Sequence, residues 1–283
     1  MMRMIPIPSP GFSGAGPRPE PFTMQQIWLI TGPPGCGKTN WIRETLLNHG
    51  GACAYLRLDG STHDGLELGH NAGIDRSWLM DQIPQLEDWS EPCSDSQLSS
   101  DERFVLIEAQ QFSSPAQNDD ELDPQIKRQL QQFNLTPDRT LHFGVDPELP
   151  KQDTLDFTKL EAWHLDLQGC VWDPNSLSSF WFELVNGAYG DVYRAKALMN
   201  MPDGRSFFCN WMVSQSGSQF LPLQSVFPPT GRPNRPSQLV IQGKGLIPAG
   251  IESTIHDCLL SDDVLELQQA PLRDQQANLQ PTL

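Results

Sequence analysis

Short apolar runs that stop abruptly at glycine or proline set the rhythm of the first half of the chain. Ile27–Thr31 (IWLIT) ends at Gly32 and Pro33, the pattern of a strand buried on both faces of a parallel sheet. Lys38–Asn48 then puts Trp41, Ile42, Thr45 and Leu46 on one face and stops at Gly50 and Gly51, which predicts a helix with a glycine stop. A second strand is predicted over Ala52–Leu58, a helix over Asp75–Leu86, a third strand over Phe104–Ile107, a helix over Pro124–Phe133 and a fourth strand over Thr140–Val145. Strands alternating with helices in this order call for right-handed crossovers and a parallel α/β layer.

From about Trp172 the pattern changes. A helix over Leu177–Asn186 precedes two strand-like runs, Val192–Met199 and Ser206–Ser214, joined by a Pro202-Asp203-Gly204 turn. A proline-rich loop over 227–236 leads to a strand at Leu239–Gln242 and a helix at Ala249–Leu260, a small α+β unit. Residues 1–25 hold too much proline, glycine and serine to offset the entropy of ordering and are expected to be a disordered leader. The expected division is 26–150 for the first domain, 151–170 for a linker, 171–262 for the second domain and 263–283 for a polar tail, with a mobile loop over Ser90–Asp101.

Charge narrows the partners. The 283 residues carry 35 acidic side chains against 19 Lys and Arg, a net charge of −16 that repels both the phosphates of nucleic acids and anionic lipid surfaces. Nucleic acid and membrane are therefore excluded as main partners. No apolar run approaches the ~20 residues that cross a bilayer, and the N-terminus lacks the apolar core of a secretory signal, so the expected location is cytoplasmic. The six cysteines include no CxxC pair and are expected to be reduced, mostly buried thiols.

The strongest chemical signal is Gly32-Pro33-Pro34-Gly35-Cys36-Gly37-Lys38-Thr39, a full GxxxxGK(S/T) match between a strand and a helix. Such a loop wraps a phosphate in backbone N–H groups, and the helix N-terminus adds its positive end. Lys38 is positioned to neutralise the β- and γ-phosphates and Thr39 to ligate Mg²⁺. Mg²⁺ also wants a carboxylate at a neighbouring strand end; Glu108 closes FVLIE in the right place and Asp59 closes the second strand as its rival. Lys38 and Glu108 are the catalytic candidates, and Gln110 and Gln111 could orient an attacking water. The fold class expected is an α/β P-loop NTPase domain, a parallel sheet with flanking helices, followed by the small α+β domain.

With these elements in view the chain resembles the CobW-like branch of the P-loop GTPases, which includes cobalamin-synthesis proteins and metal-insertion chaperones. The resemblance rests on Glu108-Ala109-Gln110-Gln111-Phe112-Ser113-Ser114-Pro115, which has the length and ends of that family's E(T/S)xGxxxP element. It rests also on Gly187 to Lys196 followed by Asp203-Gly204, similar to the family's GxxxR(x)KG strand and turn, and on Leu239 to Gly243 with the helix ending in Cys258-Leu259-Leu260. The resemblance implies binding and slow Mg²⁺-dependent hydrolysis of GTP, ahead of ATP, on behalf of a metalloprotein client engaged through the second domain. The chain departs from the family in lacking its GCxCC metal motif and its NKxD guanine element, and in carrying Gln111 where a glycine reports on the γ-phosphate. Where the metal motif would stand, His63, Asp64, Glu67 and His70 offer only nitrogen and oxygen ligands on a polar loop.

Two other classes stay open: an adaptor that keeps the phosphate-loop fold without switching, and an AAA-type ATPase, whose loop is often GPPGxGKT but whose strand-end Asp-Glu pair is missing here. Arg194 and Lys196 alternate so as to share one strand face, either an anion or partner contact or a solvated surface. Tyr189, Tyr193, Trp172, Trp181 and Trp211 read as core and interface packing, and Cys36 as a small residue in the loop or an oxidant-sensitive thiol.

Overall fold

The computed structural model describes residues 26–58, 72–89, 103–111, 122–150 and 160–279. Its first layer begins with β1 (Gln26–Thr31), α1 (Lys38–His49), β2 (Cys53–Arg57), α2 (Ala72–Gln82) and β3 (Leu86–Asp88). It continues through β4 (Phe104–Glu108), α3 (Pro124–Gln132) and β5 (Arg139–His142). The strands form one sheet in the order β3-β2-β4-β1-β5, and every pairing is parallel. β4 is buried at all its positions, as the apolar run FVLI requires of a strand covered on both faces. α1 stops at Gly50, whose left-handed φ of 69° closes the helix. α3 starts from Asp123, whose carboxylate accepts from the Gln125 amide, with Pro124 preset in the first turn.

The second layer comprises β6 (Glu161–Asp166), α4 (Pro174–Val185), β7 (Asp191–Asn200) and β8 (Ser206–Met212). After these come β9 (Gln219–Pro222), β10 (Gln238–Lys244), α5 (Pro248–Cys258) and α6 (Asp262–Leu279). Its five strands pair antiparallel in the order β6-β10-β7-β8-β9. The predicted fold class therefore stands: a parallel α/β layer of the P-loop NTPase kind, then an α+β layer.

Alternation along β7 explains how the two layers meet. Ala195, Ala197 and Met199 enter the core beneath α4 and α5, together with Phe180, Trp181 and Ile251. Leu198, on the opposite face, joins Phe208, Leu223 and Val240 in a cluster that runs without interruption into Ile74, Trp78 and Leu79 of α2. The Trp78 and Phe208 rings stack across this boundary at 4.8 Å. Beside them the Asp81 carboxylate accepts from the backbone amides of Gln224 (2.7 Å) and Ser225 (2.9 Å).

Three strands lie outside the sequence-derived set. β6 falls inside the segment read as a linker, β9 is an exposed four-residue edge strand, and β3 takes Leu86 from the predicted helix, which ends at Gln82. The segment read as a polar tail is helical through Leu279. Its anchoring is polar. Gln269, 2% exposed, donates from Nε2 to the carbonyls of Pro202 and Gly231 at 3.1 Å and accepts at Oε1 from the Gly231 amide at 2.6 Å. Leu265 adds an apolar cluster with Val171 and Leu260. Gln269→Ala leaves those three backbone groups without their partner and should lower stability by about 2 kcal/mol, read from the midpoint of urea unfolding.

Candidate functional site

The parallel order places β1 between β4 and β5, so the chain leaving β1 emerges beside the carboxyl end of β4, at the reversal of strand order where α/β sheets hold ligands. The loop there, Gly32 to Gly37, turns through positive φ at Gly32 (150°), Gly35 (77°) and Gly37 (96°). A side chain at Gly32 would also meet Phe143 Cβ at 2.8 Å, so glycine is required twice over. Gly37 precedes α1 with no side-chain cap, which leaves the first-turn amides turned toward the loop. Lys38 is 6% exposed and its Nζ donates to the carbonyls of Gly32 and Pro33, each at 2.8 Å. Cys36 is buried, its Sγ 3.6 Å from the same ammonium.

The loop forms one wall of a solvent-open cleft with a cavity volume of about 60 Å³. Pro34, Gly35, Gly37, Lys38 and Thr39 line one side with Glu108 and Gln110, while Arg194, Lys196, Phe208 and Asn210 of the second sheet line the other. Four cations, Lys38, Arg57, Arg194 and Lys196, face two carboxylates, Asp75 and Glu108, so the cleft carries a positive surplus inside a strongly acidic chain.

Arg57, at the end of β2, ion-pairs with Asp75 and reaches Glu108 Oε1 at 3.4 Å; Asp75 pairs in turn with Lys196 from the second layer. Burial by itself would raise the Asp75 pKa, but Lys196 and Arg57 hold the carboxyl well below its usual range. Lys196 is pushed down to about 8, by burial first, with Asp75 opposing and Arg194 reinforcing that shift. Its Nζ also lies 3.4 Å from Thr39 Oγ1. Glu108 accepts from the Tyr55 hydroxyl at 2.7 Å; burial and then Glu108 push the Tyr55 phenol well above its ordinary value.

Of the sequence-derived candidates, Pro34, Gly35, Gly37, Lys38, Thr39 and Glu108 line one cleft, whereas Gly32, Pro33 and Cys36 do not border it and Cys36 packs in the core of the first layer. Asp59 lies outside the described residues, as do His63, Asp64, Glu67 and His70. Gln111 turns its backbone N–H to the Gly32 carbonyl at 3.1 Å, whereas Gln110 is 7% exposed and its Nε2 has no hydrogen-bond partner. Lys196 is buried and Arg194 half-buried against the first layer, which excludes the solvated strand face as their role. Arg57 and Asp75 escaped the sequence reading altogether. The signal for Arg57 was a cation at a strand end beside the loop, and that for Asp75 an acid in a first helical turn that the cap rules explain without a site.

Mg²⁺ fits the donor chemistry. The Thr39 hydroxyl with the Asp75 and Glu108 carboxylates forms an all-oxygen set along the cleft. Among the described residues no group of three or more His, Cys, Asp or Glu is gathered for a metal, so such a cation would depend on Thr39, water and ligand phosphates, with the carboxylates behind. No helix among the described residues is long and apolar enough to cross a membrane.

No protein-family model and no curated protein matches the chain. Among solved structures, the Zn(II)-bound YjiA GTPase from E. coli is similar at 11% identity and a TM-score of 0.29, over 83% of this chain and 98% of that one. A Zn(II)-bound triple mutant of the YjiA GTPase gives 12% identity and a TM-score of 0.30 over the same shares.

Proposed function

We propose that this chain binds a nucleoside triphosphate with Mg²⁺ in the cleft beside the Gly32–Thr39 loop and hydrolyses it slowly. The observation that carries this reading is the loop itself: three positive-φ glycines, an uncapped helix start, and a buried lysine held on the loop's own carbonyls. An anion entering the loop meets backbone N–H groups, and Lys38 exchanges two carbonyl contacts for charge-assisted bonds to phosphate oxygens. Mg²⁺, when bound at Thr39, supplies positive charge to the terminal phosphates. Gln110, with an unpaired amide, is the group placed to orient a water. Guanine is favoured over adenine, and a metalloprotein client over other partners, on the resemblance of the sequence to the CobW-like GTPases.

Thermal-shift titration of the full chain with GTP, ATP and their diphosphates, with and without Mg²⁺, tests the reading. Wild type should be stabilised in proportion to the logarithm of ligand concentration, and Lys38→Ala should weaken binding by about 100-fold, the loss of two charge-assisted contacts. Equal melting of wild type with and without every nucleotide would end it. One observation favours binding without turnover: both Glu108 oxygens already have partners, Tyr55 and Arg57, so this carboxylate is a positioning group rather than a free base. Phosphate release at background level in wild type, and no lower in Glu108→Gln, would support that second reading.

A further inference from the structure

The second layer approaches the phosphate loop with charged groups, and nothing in the fold of that layer alone calls for them. Arg194 and Lys196 stand two positions apart on β7 and so share the face turned to the first layer, while their neighbours Ala195 and Ala197 fill the second core. Lys196 is 6% exposed, lies 5.1 Å from the Phe208 ring, pairs with Asp75 and sits 3.4 Å from the Thr39 hydroxyl. Arg194 hydrogen-bonds Gln242 Oε1 at 3.2 Å and borders the same cleft as Gly35, Gly37 and Lys38. Burying cations is expensive unless a partner compensates them. Asp75 and Glu108 serve Arg57 and Lys196, and the surplus positive charge remains. A second observation points to a ligand in the same place: Gln110, more than nine-tenths buried, borders the cleft with an amide nitrogen that no protein group satisfies.

We propose that Arg194 and Lys196 are phosphate-contacting residues supplied in cis by the second layer, so that the nucleotide site is built across both halves of the chain and discriminates triphosphate from diphosphate. This rests on the nucleotide reading of the loop. The loop and Lys38 hold the phosphates common to both ligands; the cations of β7, on the opposite wall, compensate the additional charge of the terminal one. Asp75 keeps Lys196 oriented toward that space before the ligand arrives.

The test is calorimetric titration of the full-length protein with a non-hydrolysable nucleoside triphosphate and with the matching diphosphate. Wild type, Arg194→Gln, Arg194→Lys, Lys196→Gln, the double variant Asp75→Asn with Lys196→Gln, and Lys38→Ala are compared, each checked for a wild-type circular-dichroism spectrum. Arg194→Gln and Lys196→Gln should each weaken the triphosphate about tenfold, the size of one lost charge-assisted contact, and the diphosphate less than about threefold. Arg194→Lys should retain most of the preference, and Lys38→Ala should lose both ligands. The double variant keeps the measurement open where an unpaired Asp75 unfolds Lys196→Gln, and it too should lose the preference. A wild-type ratio of triphosphate to diphosphate affinity in Arg194→Gln and in the double variant, beside loss of binding in Lys38→Ala, would overturn the inference and leave the loop reading standing. Binding of neither ligand by wild type would overturn both.

Discussion

Asp75→Ala should destabilise the protein by about 3 to 5 kcal/mol, the usual cost of removing one member of a buried ion pair and leaving its partners charged. Asp75 is 3% exposed and stands between Arg57 of the first layer and Lys196 of the second, so its loss removes a partner from one cation on each side of the boundary. Arg57 keeps Glu108, 3.4 Å away, whereas Lys196 keeps the Thr39 hydroxyl, the Phe208 ring and the weaker pull of the Glu108 charge. Urea unfolding followed by tryptophan fluorescence gives the difference in free energy. Lys196→Met in the Asp75→Ala background should recover much of it, because an apolar chain of similar length replaces an uncompensated ammonium. A loss below about 1 kcal/mol in Asp75→Ala would mean that solvent reaches the pair and that the boundary is looser than its burial implies.

The second large effect depends on pH. His142, at the end of β5, is 4% exposed and has Nδ1 2.9 Å from the Thr31 hydroxyl. Burial, with the Lys38 charge acting in the same sense and Asp146 against it, pushes its pKa down from 6.5 to about 4. The folded protein therefore keeps the ring neutral where the unfolded chain protonates it. Unfolded protein binds the extra proton between these two values, so stability rises with pH across that window and is lost as pH falls from 6.5 toward 4. The full loss amounts to about 3 kcal/mol, complete once both states are protonated. His142→Asn should flatten the difference; the quantity to measure is the gap between the wild-type and variant stability curves from pH 7 to pH 4. A gap independent of pH would show that the ring titrates alike in both states.

How much of this could be read beforehand follows from the range over which each signal acts. The phosphate loop is local: three glycines, a lysine and a threonine within eight positions fix a backbone shape, and the flanking strand and helix have their own patterns. β1, β2 and β4 announce themselves because burial on both faces leaves few polar residues inside them. β6 is harder to see because only Trp163 and Leu165 point to a core, and an edge position exposes the residues between them. α6 escaped because what holds it is Gln269 bonding to distant backbone, a long-range polar contact with no period in the sequence. The same holds for the site. Glu108 is the last residue of its strand and is found by position, whereas Lys196 meets Asp75 across 121 residues of chain. Composition made an exposed strand face as reasonable as a contact for Arg194 and Lys196, and only the packing of β7 against α2 decides between them.

The apolar seam at Trp78, Leu198, Phe208 and Val240 has a consequence for traffic through the cleft. Swinging the two halves apart about a hinge would hydrate that seam and unstack its rings, a cost that rises with every square ångström uncovered. Entry through the solvent-facing side of the cleft, with the halves still clasped, leaves that seam dry and costs less.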